Sequence, residues 1–319
     1  MVYAGEIENP EKEKKRIFIV GPTGVGKSAL AIRLAKDFHG EILSMDSMQI
    51  YRGMDIGTAK ATPEEQRVMP HHLLDLTDPG TRYTVADYQR DAQKKQEDVL
   101  ARRKLPFFVG GTGLYLNALL MNYQFSGMDT TSEWRKTLEE EYQIDQGVRL
   151  YQELCQRDME TASRLTPQDK PRILRAIEIL RRTDRPPSAL RQDEKNRLWK
   201  SLVLMLSLPR EQLYKKINER VIRMVDAGLE EEVHRLLTCG VSPDSQAMHA
   251  IGYREFLWYF RGLTTKEETI RLIQRASRQY AKRQYTWYRK TNDAVWIEEE
   301  MAEKRYERAK EEIQTFLRA

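Results

Sequence analysis

Ile17-Phe18-Ile19-Val20-Gly21-Pro22-Thr23-Gly24-Val25-Gly26-Lys27-Ser28 is the stretch that decides the fold. Its first four residues are all apolar, as expected of a strand buried on both faces in a parallel sheet. Gly21 to Ser28 then fits G-x-x-x-x-G-K-[ST], and the pattern that follows predicts a helix from Ala29 to Phe38. A glycine-rich turn between a strand and a helix is a phosphate cradle. The glycines let backbone N–H groups turn inward, and the helix N-terminus adds a favourable dipole. Gly21, Pro22, Thr23, Gly24, Val25, Gly26, Lys27 and Ser28 are therefore candidate phosphate ligands. Lys27 supplies a point charge to a terminal phosphate, and the Ser28 hydroxyl is a candidate ligand for Mg²⁺.

Working outward, Glu41 to Met45 reads as a second strand ending at Asp46, and Leu105 to Val109 as a third ending at Gly110-Gly111. Val85 to Lys104 between them reads as a helix. Strands alternating with helices are the signature of a doubly wound α/β sheet. Residues 132–182 break that rhythm with consecutive charged helices. Leu202 to Leu208 and Ala294 to Ile297 resume the strand pattern, and Arg185-Pro186-Pro187-Ser188 reads as a turn. The expected architecture is a P-loop doubly wound parallel sheet, residues 1–121 and 199–319 with its C-terminal helices. An all-helical domain is inserted into it at about 122–198.

A phosphate cradle alone does not name its guest. Nucleotide hydrolases close an apolar strand with a metal-ordering Asp, but the third strand here ends in Gly110-Gly111-Thr112-Gly113. Asp75 is the nearest alternative, and Asp46 opens what looks like a binding loop. A diphosphate with a fate other than hydrolysis becomes the better expectation. The balance of 53 basic against 48 acidic residues, net +5, means that any nucleic-acid surface is a local patch. Two cysteines, Cys155 and Cys239, exclude a disulfide framework and a Cys-rich zinc module, and fit a reducing compartment. The five histidines lack metal-ligand spacing, and His71-His72 reads as structural. No apolar run approaches the ~18 residues of a membrane span. The charged stretch from Glu6 to Arg16 lacks the apolar core of a secretory signal. The expectation is a soluble cytoplasmic protein, with nothing that demands more than a monomer.

Asp46-Ser47-Met48-Gln49-Ile50-Tyr51-Arg52-Gly53-Met54-Asp55-Ile56-Gly57-Thr58-Ala59-Lys60 is far more specific than a P-loop. It resembles the second signature of the bacterial tRNA dimethylallyltransferases. Further stretches match in order: His71 to Asp75, Gly110 to Tyr115, Pro171 to Glu178, Ile251 to Arg254, and Ala281 to Trp287. The resemblance runs from Gly21 to about Arg289, nearly the whole chain. It implies transfer of a dimethylallyl group from dimethylallyl diphosphate to N6 of the adenosine immediately 3′ of the anticodon in tRNA. The products would be N6-isopentenyladenosine and diphosphate, with Mg²⁺ as cofactor. The P-loop would hold the prenyl diphosphate, and the inserted domain would contact the tRNA anticodon stem-loop.

The chemistry explains these residue types. An exocyclic adenine amine is a poor nucleophile and needs a positioned proton acceptor, for which a carboxylate is suited. The resemblance assigns that role to Asp46; the competing reading is an Asp that caps the following turn. Departure of diphosphate builds negative charge, so donors aimed at it lower the barrier. Lys27, Thr23 and, by resemblance, Arg220 in Ile217-Asn218-Glu219-Arg220 are the candidates. The target base must leave its stack, with phosphate contacts positioning the loop and base contacts selecting it. The resemblance carries over Asp46, Ser47, Met48 and Gln49 as adenosine contacts. It also carries over Thr112, Arg135, Pro171, Arg172, Ile173, Leu174 and Arg175 as tRNA contacts; Pro171 departs from the pattern, which often has Gln there.

A late helix points to RNA independently. Ile270, Ile273, Ser277, Tyr280, Gln284 and Trp287 form one stripe, and Arg271, Arg275, Arg278, Lys282 and Arg289 form its neighbour. Eight basic and two acidic residues lie between Thr264 and Asn292. Arg278, Lys282 and Arg283 are candidate RNA-phosphate contacts, against the alternative of a solvated face beside a packing stripe. The rival functions are a small-molecule P-loop kinase, an RNA-stimulated NTPase and a prenyltransferase of free adenine nucleotides. The long signature at Asp46 argues against the first; the second predicts RNA-stimulated nucleotide hydrolysis; and the helical insertion with the basic stripe favours a polymer acceptor over the third.

Overall fold

The computed structural model describes residues 14–121, 132–192, 199–291 and 293–319. The expected edges of the insertion, near 122 and 198, and most of the charged opening segment lie outside these residues. The chain divides into two compact units, one comprising residues up to Leu116 and beyond Arg197, the other Asn117–Arg197.

The first unit is built on a six-stranded, wholly parallel sheet. Strand β1 (Lys14–Val20) leads through the glycine-rich loop into helix α1 (Lys27–Asp37) and strand β2 (Gly40–Met45). Helix α2 (Pro63–Val68), strand β3 (His71–His72), helix α3 (Val85–Ala101), strand β4 (Leu105–Gly110) and helix α4 (Gly113–Leu120) follow. After the second unit come β5 (Trp199–Leu206) and, once the helices named below have been passed, the short β6 (Val295–Ile297). The strand order β3-β2-β4-β1-β5-β6 puts β1 between β4 and β5. The last five residues of β1 and all six of β2 are buried, which accounts for the apolar runs Ile17–Val20 and Ile42-Leu43. The buried charged groups among them are bonded, Arg16 to Ser201 and Gln96, and Glu41 to Arg102 and His72.

The second unit contains α5 (Ser132–Asp145), α6 (Val148–Arg157), α7 (Met159–Ala162), α8 (Lys170–Thr183) and α9 (Pro187–Gln192). Its core gathers Leu138, Leu150, Leu154, Ile173, Leu174 and Ile177. The first unit then adds α10 (Arg210–Asp226), α11 (Leu229–Thr238), α12 (Tyr253–Phe260), α13 (Lys266–Tyr288) and α14 (Ala302–Arg318). Helix α13 starts with a full capping box between Thr265 and Glu268, and α3 does the same with Thr84 and Asp87. No helix among the described residues is long and apolar enough to cross a membrane.

Several boundaries differ from expectation. Helix α1 begins two residues earlier, at Lys27, because Gly26 adopts a left-handed N-cap conformation (φ 98°) inside the cradle. Helix α3 stops at Ala101, and Arg103 turns into the left-handed region (φ 59°). The expected turn at 185–188 ends at Pro187, which opens α9 as proline commonly does at a first helical position. His71-His72 is an edge strand paired with Ile42 and Leu43. There His72 Nε2 lies 2.6 Å from Glu41 Oε2 and His71 Nδ1 2.7 Å from the Met69 carbonyl oxygen, so both rings are held by the fold.

Phe107 is fully buried in the core that also holds Ile17, Ile19, Leu34, Leu204 and Ile313. Phe107→Ala should therefore destabilise the protein by about 3–5 kcal/mol. Urea unfolding would measure this, and a loss below about 1 kcal/mol would contradict the packing described.

Candidate active site

The loop after β1 folds around its own backbone. Gly24 (φ 81°) packs against α10, where an added Cβ would stand 3.0 Å from Ile217 Cγ1. Lys27 Nζ donates to the carbonyls of Gly21 at 2.9 Å and Pro22 at 3.0 Å. Burial, with Arg220 nearby, pushes the Lys27 ammonium down to about 7, while Asp46 pulls in the opposite direction. Arg220 reaches in from α10, and its Nη1 donates to Thr23 Oγ1 at 2.9 Å. Burial lowers its pKa too, and the charge of Asp46 opposes that shift. Thr23 N–H donates to Gln284 Oε1 at 2.9 Å, and Gln284 Nε2 donates to the Gly111 carbonyl at 2.8 Å.

The strand next to β1 could not carry a hydrolase's aspartate at its tip. It ends at Gly110, where a Cβ would lie 2.0 Å from the Met45 carbonyl oxygen. The carboxylate comes instead from the end of β2. Asp46 Oδ1 accepts from Met48 N–H at 2.9 Å, so the residue does cap its own turn. Ser47 N–H donates to Thr112 Oγ1 at 3.0 Å, and Thr112 N–H to the Met45 carbonyl at 3.2 Å. Thr112 thus ties the tips of β2 and β4 together around Asp46.

The remainder of the signature loop is pinned by buried polar groups. Glu232, 2% exposed on α11, accepts from the N–H groups of Asp55, Ile56 and Gly57 at 2.9, 2.9 and 3.1 Å. It also accepts from Tyr253 Oη at 2.5 Å. A Cβ on Gly57 would meet the Tyr253 ring at 2.4 Å, so only glycine allows this approach. Lys60 Nζ sits between Asp55 Oδ1 and Asp75 Oδ1, at 2.6 Å from each. Asp75 therefore serves this ion pair.

Two cavities meet at these residues. One, of about 830 Å³, is lined by the cradle, Asp46, Lys60, Gly110 and Gln284. The other, of about 420 Å³, is lined by Ser47, Met48, His249 to Gly252, Arg254, Ser277 and Arg283. Both are bordered by Thr23, Asp46, Arg220 and Tyr280. Burial and Asp46 push the Tyr280 hydroxyl up to about 12, so it is a proton donor at neutral pH.

Thr23, Lys27, Asp46 and Arg220 are thus brought together at one site by the fold. Other expected site residues behave differently. Gln49 is engaged within the loop: its Oε1 accepts from Ser44 Oγ, and its Nε2 donates to the carbonyls of Thr58 and Ala59. Ile173 and Leu174 are 0% and 1% exposed in the core of the helical unit, so their side chains are packing groups and not RNA contacts. Pro171 and Arg172 on the same helix are exposed, and Arg172 Nη1 lies 3.7 Å from Asp169. Arg175 pairs with the buried Glu178, and Arg135 with Glu139. Arg278 Nη1 donates to Asn218 Oδ1 at 2.6 Å, which fastens α13 to α10. Lys282 and Arg283 are exposed.

The sequence reading assigns no role to four contributors to the site. Gln284 and Tyr280 sit on the packing stripe of the late helix, and although Gln284 falls within the matched stretch Ala281 to Trp287, no role attaches to it there. Lys60 closes a signature without an assigned role. Glu232 is the last of three consecutive glutamates with no motif around it.

A family model described as IPP transferase matches residues 49–291, and one described as Isopentenyl transferase matches residues 15–75. The tRNA dimethylallyltransferase of Geobacter sulfurreducens is 44% identical over 287 residues, which cover 89% of this chain and 92% of that protein. The chain belongs to the tRNA dimethylallyltransferase family. A relative of the same name from Symbiobacterium thermophilum is 43% identical over 303 residues, 95% of this chain and 94% of its own. The solved tRNA isopentenylpyrophosphate transferase of Bacillus halodurans superposes with a TM-score of 0.72 at 38% identity, covering 96% of this chain and 97% of that one. A eukaryotic dimethylallyltransferase solved acting on tRNA gives a TM-score of 0.77 at 32% identity, over 89% of this chain and 74% of its own. The P-loop α/β architecture is thus shared across the family.

The depressed Lys27 pKa makes a direct prediction, because only the neutral amine is nucleophilic. Trace acetylation followed by peptide mass mapping should show Lys27 reactivity rising through a midpoint near pH 7, while exposed lysines respond only toward their ordinary value of about 10.4. A Lys27 midpoint near that ordinary value would refute the electrostatic description of the cradle.

Proposed function

We propose that this protein transfers the dimethylallyl group of dimethylallyl diphosphate to N6 of the adenosine immediately 3′ of the anticodon in tRNA, releasing diphosphate. The observation that carries this reading is the junction of the two cavities. A phosphate cradle opens on one side, a second opening borders the other, and Asp46, Thr23 and Arg220 lie between them. Family membership supplies the reaction class.

In this mechanism the P-loop N–H groups, Lys27 and Arg220 bind the diphosphate in the larger cavity. The flipped adenine enters through the smaller one. The N6 lone pair attacks C1 of the dimethylallyl group as the C1–O bond to diphosphate breaks. The N6 proton passes to the Asp46 carboxylate, which the Met48 N–H and the Thr112 tie hold in place. Negative charge that develops on the leaving oxygen falls among fixed donors, where it is stabilised most. Arg220 holds Thr23, so cation and hydroxyl act as one unit on the diphosphate.

Mg²⁺ fits the donors present. Ser28 lines the larger cavity, and no cluster of three His, Cys, Asp or Glu side chains suited to a metal exists among the described residues. One hydroxyl suits a cation held mainly by diphosphate oxygens and water. Bound there, Mg²⁺ would neutralise charge on the leaving diphosphate.

The acceptor surface is proposed to include Lys282 and Arg283, next to the smaller cavity; the exposed Arg172 of the helical unit is proposed separately as a tRNA contact. The protein is proposed to work in the cytoplasm as a monomer.

Two experiments test this reading. Unmodified tRNA incubated with the protein, dimethylallyl diphosphate and Mg²⁺ should gain one dimethylallyl group on the adenosine beside the anticodon, read by mass spectrometry. Asp46→Ala should slow that transfer by about 10²–10⁴-fold while leaving tRNA affinity intact. Transfer at near-native rate by the variant would remove Asp46 from the role of base. In the second, Lys282→Glu with Arg283→Glu should weaken tRNA binding and lower the salt slope by about one for each phosphate no longer neutralised. An unchanged slope would make that face solvated surface.

A further inference from the structure

The family models end at residue 291, and helix α14 begins beyond them at Ala302. From this helix Arg305 reaches the back of the phosphate loop. It is 5% exposed. Its Nη1 donates to the Val25 carbonyl at 2.9 Å, while Nε and Nη2 both donate to the Glu299 carbonyl, at 3.0 and 2.8 Å. The guanidinium stands directly behind Gly26, where an added Cβ would lie 3.6 Å from Nη1. The loop is thus bonded by a buried cation that lines neither of the two cavities.

Peptide geometry gives this contact a consequence. The Val25 carbonyl and the Gly26 N–H belong to one planar trans peptide, so they point in opposite directions. Holding the carbonyl on Arg305 directs the Gly26 N–H away from α14, and Gly26 lines the larger cavity. A cation on the carbonyl also polarises the peptide, which strengthens its N–H as a donor to an anion. The left-handed Gly26 (φ 98°) has no side chain to fix its own orientation, so an external restraint matters more here than elsewhere in the loop.

We infer that Arg305 is a positioning residue for the diphosphate site, fixing the Val25–Gly26 peptide so that its N–H faces the bound anion. The inference rests on the reading of the cradle as a diphosphate site. Arg305 touches neither substrate; it acts through the loop. Helix α14, which looks like a terminal appendage to the sheet, thereby becomes part of the substrate site's support.

The competing role is simple anchoring of α14, and the test separates the two. Calorimetry with inorganic pyrophosphate and Mg²⁺ gives Kd for native protein, Arg305→Met, Arg305→Lys and Ile313→Ala. Ile313 is fully buried eight residues further along the same helix, so its truncation loosens docking of α14 while leaving the Arg305 guanidinium in place. Arg305→Met should weaken pyrophosphate binding about tenfold and raise KM for dimethylallyl diphosphate with KM for tRNA unchanged. Arg305→Lys keeps the charge but cannot serve both carbonyls as a planar fork does, so about a threefold loss is expected. Ile313→Ala should lower Tm yet keep native pyrophosphate affinity. Native affinity in Arg305→Met, or an equal loss in Ile313→Ala, would reduce Arg305 to a helix anchor. Should the Met variant fail to fold, the Lys variant decides alone, a native Kd overturning the inference. A native protein that binds no pyrophosphate would sink the diphosphate reading itself, and this inference with it.

Discussion

Burial of two cations beside one carboxylate is the constraint on which the rest of this structure depends. Lys27 and Arg220 both have depressed pKa values because the cradle desolvates them, and Asp46 offsets part of that penalty. Such an arrangement is unfavourable until an anion enters, because removing charge from water without full pairing costs free energy. A diphosphate supplies the missing negative charge. The same electrostatics that destabilise the free site therefore favour substrate, and favour still more the charge that grows on the leaving group.

Holding these charges in place requires that neighbouring backbone be fixed, and the fold does so with buried polar side chains. Gln284 ties Thr23 to Gly111, so helix α13 and the tips of β1 and β4 share one amide. Glu232 takes three backbone N–H groups of the signature loop, and Lys60 bridges Asp55 within that loop and Asp75 beyond it. Each of these groups is satisfied by several partners, the condition under which buried polar networks rigidify a site instead of weakening it. Glycines at 57 and 110 then let elements approach to distances that no side chain permits.

Much of this is legible in the sequence because it rests on local signals. The strand–glycine-rich loop–helix unit, the parallel strands and the break at 132–182 follow from periodicity and turn chemistry. Asp46 and Arg220 are found through matched motifs, and they meet because β2 and α10 converge at the sheet's C-terminal edge, a relation that no local pattern contains. Tertiary pairing is the main thing hidden. Arg278 reads as one of a row of phosphate contacts, yet Asn218, sixty positions away in sequence, takes its guanidinium. Ile173 and Leu174 match an RNA-contacting stretch, but the helical unit needs their side chains for its core. Glu232 carries no local signal, because only the folded loop brings three N–H groups to it. The two-residue strand β3 is too short to register any period.

The central claim is that diphosphate and adenine meet across Asp46, Thr23 and Arg220. A structure of the protein with an anticodon stem-loop RNA and an unreactive thio analogue of dimethylallyl diphosphate tests it most directly. The account predicts the diphosphate on the loop N–H groups and the adenine N6 within about 2.6–3.2 Å of an Asp46 carboxylate oxygen. An adenine bound away from Asp46, or a diphosphate outside the cradle, would contradict it.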